Sequence, residues 1–134
     1  MQEMVERYLA AWNETDASRR RKLVDELWAE DGSYTDPLAD AHGRAEIDGL
    51  IGAVQQQFPG FVFTLGGPVD AHHDQARFTW HLGPGGGEPI VIGFDVAVLK
   101  GAARSAACTA SWTRCRADRP SLSWARARSG GGRR

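Results

Sequence analysis

The spacing of apolar residues changes once along this chain, at Pro59-Gly60, and that change governs what the chain can fold into. Before it, apolar side chains recur every three or four residues, the period of a helix with one buried face. After it they alternate, the period of a strand with one buried face. A length of 134 residues suits one domain around one core. Helices first and a strand meander second predict an α+β fold, with three N-terminal helices packed on a curved antiparallel sheet. A curved sheet closed by helices leaves a conical hollow suited to a small molecule.

Met4, Val5, Tyr8, Leu9 and Trp12 predict a helix over residues 2–14. Asp16 or Ser18 caps a second helix. Its stripe is Leu23, Val24, Leu27 and Trp28, and Asp31-Gly32 stops it. Ser33 to Asp36 reads as a short strand ended by Pro37. A third helix follows Gly43, with Ile47, Leu50, Ile51, Val54 and Phe58 on one face. Strands are expected at 61–65, at 75–82 after a turn at His73-Asp74, and at 90–99.

Hydrophobic residues make up 42% of the chain, too many for a disordered protein. No apolar run approaches the roughly 18 residues of a membrane span. The first residues have neither the basic flank nor the apolar core of a signal peptide, so a cytoplasmic location is expected. Charge is divided unevenly: residues 1–99 hold seven basic and sixteen acidic residues, and residues 100–134 hold nine basic and one acidic. That second segment shows neither period and is rich in Ala, Arg, Ser, Gly, Cys and Trp. Its mix is typical of GC-rich coding DNA read out of frame. Back-translated and read from the last base of the Arg104 codon, Arg104 to Arg116 can give a string of alternating apolar residues suited to a final strand. The expectation is a domain over 1–99 and an irregular basic tail over 100–134, out of frame after a single-base change near residue 100. Sequencing the gene tests this, and a clean frame removes it. The other reading is a genuine basic tail, disordered or loosely bound to nucleic acid.

Four pieces carry a resemblance. Met4 to Asn13, with its Arg7-Tyr8, resembles the first helix of bacterial ketosteroid isomerases. Leu27 to Asp31 followed by Tyr34-Thr35-Asp36-Pro37 resembles their second helix and first strand. Gly43 to Ile47 resembles the start of their third helix, and Gly93-Phe94-Asp95-Val96 the strand that carries a buried acid. Together they cover residues 4–99 and place the chain with the nuclear transport factor 2-like superfamily, beside SnoaL-like cyclases. The resemblance implies Asp36 as a base, and Tyr8 and a protonated Asp95 as donors to an oxyanion. It also implies a homodimer, a hydrophobic small-molecule ligand, and no metal or cofactor. The chemistry is self-consistent: removing a proton beside a carbonyl needs an ionised carboxylate and donors where the enolate oxygen gains charge. The cyclases begin with the same step, so isomerase and cyclase stay open, as does a non-catalytic binding or dimerisation module. Trp12 and Trp28 are bulkier than the isomerases have.

Plainer readings stand beside these. Asp36-Pro37 is a common turn pair. Tyr8 suits a core, and Asp95 suits either a pocket or the open face of the sheet, opposite Phe94 and Val96. His72 and His73 read as solvated turn residues, and Arg19 to Lys22 as the wet face of helix two. Arg77, Thr79 and His81 share one strand face and Phe78, Trp80 and Leu82 the other; the pattern does not say which faces the hollow. Neither nucleic acid nor membrane is expected as a partner of the domain.

Overall fold

The computed structural model describes residues 2–37, 39–100 and 105–115, with the backbone alone given for residues 100 and 105–115. Helix α1 spans Gln2–Asn13 and buries Val5, Tyr8, Leu9 and Trp12, as the spacing predicts. The Asp16 side chain accepts the Arg19 N–H at 2.9 Å and starts α2, Ala17–Leu27. Helix α3 is Arg44–Gln57, entered through Gly43 at φ 84°, a left-handed conformation that glycine adopts without strain.

Helix α2 ends at Leu27, short of Asp31-Gly32, and strand β1 runs from Trp28 to Thr35. Trp28 therefore opens a strand instead of extending a helical stripe. Its side chain is fully buried and its ring lies 5.4 Å from that of Tyr8, while its carbonyl accepts from the Arg44 guanidinium. Tertiary contacts of this size override local helix preference. Arg20 also departs from the wet face: it reaches inward to Asp48 at 2.8 Å and bolts α2 to α3.

The remaining strands are β2 (Asp40–His42), β3 (Phe61–Leu65), β4 (Asp70–His72), β5 (Gln75–Pro84), β6 (Val91–Lys100) and β7 (Ser105–Cys115). They form one sheet in the order β2-β1-β7-β6-β5-β3, with β4 pairing β5. Strand β3 meets β5 at residues 80–84 and β4 meets it at 75–77. The turn between β4 and β5 is at His73-Asp74, with His73 at φ 53°. Every pairing is antiparallel except β1 with β7. The sequence reading puts no strand after residue 99 in this frame. The backbone of Ser105–Cys115 nevertheless stands between β6 and β1, where ladder hydrogen bonds place it whatever its side-chain pattern. The side chains of Cys108 and Cys115, and the tail over 116–134, lie outside the described residues.

The core lies between the helices and one face of the sheet. Val5, Tyr8, Val24, Trp28, Ile47, Ile51 and Phe78 are its large, fully buried members.

Candidate active site

Alternation along β5 and β6 selects what faces the helices. On β5, Ala76, Phe78, Trp80 and Leu82 are buried. On β6, Val91, Asp95, Ala97 and Leu99 are buried, while Ile92, Phe94, Val96 and Val98 on the opposite face are half-buried. Asp95 therefore points into the core, the only buried charged or polar residue among the described ones. It sits directly across from Phe78, which makes Trp80 its diagonal neighbour.

A carboxyl group in such a place is costly unless its oxygens are satisfied. Both are: the Tyr8 hydroxyl donates to Oδ2 at 2.5 Å and the Trp80 indole N–H donates to Oδ1 at 2.9 Å. The Tyr8 ring meets Phe78 edge-on at 5.1 Å and Trp28 at 5.4 Å. Burial, followed by the charge of Asp95, pushes the Tyr8 hydroxyl well above the usual tyrosine value of 10.0. The indole N–H of Trp12, close by but outside hydrogen-bond geometry, pulls weakly the other way. The phenol thus keeps its proton across the neutral range and remains a donor.

Asp36 occupies different ground. It is half-buried just after β1, where its Oδ1 accepts the Ala39 N–H at 2.6 Å and its own N–H donates to the Ala39 carbonyl at 2.8 Å. The Tyr34 hydroxyl donates to Oδ2 at 3.3 Å. Asp36 closes a turn, and it connects to the buried pair through rings: Tyr34 to Trp12 at 5.2 Å and Trp12 to Tyr8 at 6.3 Å. Of the three site residues expected from the sequence, Tyr8 and Asp95 meet directly, and Asp36 joins them through Tyr34 and Trp12. Trp80 as a donor to Asp95 is not foreseen, because the Gly-rich loop between β5 and β6 hides their register. The inward face of β5 proves to be Phe78, Trp80 and Leu82.

A half-open cavity of about 650 Å³ lies where the ends of α1 and α3 meet β3, walled by Trp12, Val54, Phe58, Phe61, Phe63 and Leu82. Asn13 bonds the backbone of Phe63 in both directions, at 2.7 and 2.8 Å. Gln55 donates to the carbonyls of Trp12 and Glu14 and accepts from Arg20. Among the described residues no group of three His, Cys, Asp or Glu side chains is placed to hold a metal ion. His72 pairs with Asp70 at 3.1 Å on the exposed hairpin. No helix among the described residues is long and apolar enough to cross a membrane.

Against known proteins, the SnoaL-like domain matches residues 5–121. No curated protein matches the sequence. A candidate isomerase of the SnoaL-like family from Agrobacterium tumefaciens is 37% identical over 84% of this chain and 96% of its own, with a TM-score of 0.80. A candidate polyketide cyclase from Sinorhizobium meliloti shares the fold at 16% identity, covering 81% of this chain and 93% of its own, with a TM-score of 0.64. So does a nuclear transport factor 2-like protein of unknown function from Cytophaga hutchinsonii, at 10% identity, 84% and 88% coverage and a TM-score of 0.62. The α+β layout, the order of the helices and a match running from α1 past β7 agree, and the chain belongs to the SnoaL-like family of the nuclear transport factor 2-like fold.

Proposed function

We propose that this protein moves a proton beside the carbonyl of a hydrophobic compound, as an isomerase or cyclase that needs no cofactor. The buried hydrogen bond between Tyr8 and Asp95 carries this reading. On ligand entry the Tyr8 hydroxyl turns from Asp95 Oδ2 to the oxygen that gains charge, and a protonated Asp95 is the second donor, in a dry setting where such bonds are strong. Trp80 holds the Asp95 carboxyl in place from the other side. Asp36 serves as the base, and the Ala39 N–H and Tyr34 hydroxyl fix the direction of its carboxylate.

The test is conversion of a β,γ-unsaturated cyclic ketone to its conjugated isomer, followed by ultraviolet absorbance. Asp36→Asn is expected to lower kcat by about 10²- to 10⁴-fold, the usual worth of a general base. Activity unchanged by that substitution removes Asp36 from the role. One observation favours a second reading, a non-catalytic binding or dimerisation module: each Asp36 oxygen already accepts a hydrogen bond within its own turn. Tight ketone binding with no turnover, and affinity indifferent to Asp36→Asn, is the result that selects it.

A further inference from the structure

Tyr8 and Asp95 are almost completely shielded, so a ligand reaches them only if part of the wall moves. Two side chains are shared between the buried pair and the cavity at the end of α1. Trp12 packs on Tyr8 from one side and walls the cavity from the other. Phe63 does the same beside Trp80, its ring 5.4 Å from the indole that donates to Asp95. Trp12 and Phe63 also touch each other, at 5.5 Å, so together they make one partition.

Trp12 carries a second unusual feature. Its indole N–H is buried and makes no hydrogen bond of normal geometry among the described residues, the nearby Tyr8 hydroxyl included. Native cores pair nearly all such groups, because a buried donor left unmade costs free energy. The Trp28 N–H is also unpaired, but Trp28 is not a wall of this cavity. Three of the polar side chains that line it are spent on the frame, Asn13 on β3, Gln55 on the end of α1 and Arg20 on Asp48, while Thr15 and Gln56 line it as well. No hydrogen bond of the indole has to break when Trp12 swings, and its N–H has one to gain.

We infer that Trp12 is both the inner gate of this cavity and the donor that takes the ligand's oxygen, which selects an uncharged ligand with an apolar body and an acceptor oxygen. An indole N–H donates and never accepts, so the atom it receives must be an acceptor. Aromatic walls favour an apolar body, and placing a charged one against them is costly. The inference rests on the proton-transfer reading only for the ligand's fate once inside.

The test compares 2-acetonaphthone with 2-ethylnaphthalene, which has the same outline and no carbonyl oxygen. With the full chain labelled with ¹⁵N in its tryptophans, the Trp12 indole signal is identified as the one missing from Trp12→Phe. The ketone is expected to move that indole proton downfield, as a new hydrogen bond does, and the hydrocarbon to give only the ring-current shift of an aromatic neighbour. Trp12→Phe keeps an aromatic wall and is expected to weaken the ketone by about tenfold, the worth of one neutral hydrogen bond, with the hydrocarbon weakened less than about twofold. A Trp12 indole proton that shows no downfield shift beyond that given by the hydrocarbon overturns the inference, as does equal weakening of both probes or no binding of the ketone up to its solubility. The wild-type spectrum gives the answer even if the variant folds poorly. A shifted Trp12 signal in a protein without isomerase activity leaves this inference standing and removes the catalytic one.

Discussion

Two carboxylates in this protein live under opposite conditions. Asp95 is 2% exposed and held by a phenol and an indole from distant parts of the chain, whereas Asp36 is half-buried and held largely by its own turn. The first is a matter of tertiary structure. Remove its carboxyl and two buried donors, on α1 and β5, lose their acceptor together. The second is a matter of local chain geometry, and water stands ready to replace what is lost. One kind of side chain thus sits in two environments, decided by where the fold puts it.

Substitutions rank these two regions. Asp95→Ala leaves the Tyr8 hydroxyl and the Trp80 N–H unpaired and is expected to cost about 3 kcal/mol or more, read from urea unfolding. A loss under about 1 kcal/mol means that the two donors find other acceptors and the buried pair is less closed than described. Tyr8→Phe comes next, at about 1–2 kcal/mol near neutral pH. It also carries a signature in pH. The folded state holds the Tyr8 proton above the ordinary value of 10.0, where the unfolded chain has released it. Stability from this group is whole below that pH and falls as pH rises beyond it, by about 1.4 kcal/mol per pH unit. Tyr8→Phe should lack that alkaline fall, and an identical slope in both proteins shows that another group sets it. Asp36→Ala is expected to cost least, about 1 kcal/mol, as turn and cap hydrogen bonds usually do.

Much of the architecture is legible in the residue order. Met4, Val5, Tyr8, Leu9 and Trp12 define α1, and the alternation around Asp95 puts it opposite Phe94 and Val96, as found. Those patterns are local and physical, so reading them needs no knowledge of the rest. What stays hidden depends on distant partners. Trp28 fits a helical stripe by spacing, yet its indole belongs with Tyr8, and this fixes it on β1. Arg20 sits in a run of four basic residues, and only the approach of α3, bringing Asp48 and Gln55, distinguishes it from its neighbours. Its guanidinium lies against Gly52, where a Cβ would come within 3.2 Å of it. The site divides in the same way. Tyr8 and Asp95 are nameable from the resemblance, whereas their bond to each other and the part of Trp80 require register across β5 and β6. Strand β2 is three residues long and too short to show a period. For β7 the signal is faint: Ala106, Cys108, Ala110 and Trp112 alternate with Thr109, Ser111 and Thr113, but most of these side chains are too small to mark a buried face as those of β5 and β6 do.

The single parallel pairing has a consequence for the order in which the molecule is made. Strand β1, from the first quarter of the chain, reaches β6 only through β7, which is synthesised last of all the strands. Until Ser105–Cys115 leaves the ribosome, the β1–β2 hairpin and the β3–β6 meander are two separate ribbons, each with an open edge turned toward the other. The seventh strand is therefore a keystone. A nascent chain waiting for it exposes two unpaired edges, and a fault in its few codons reaches every strand on either side.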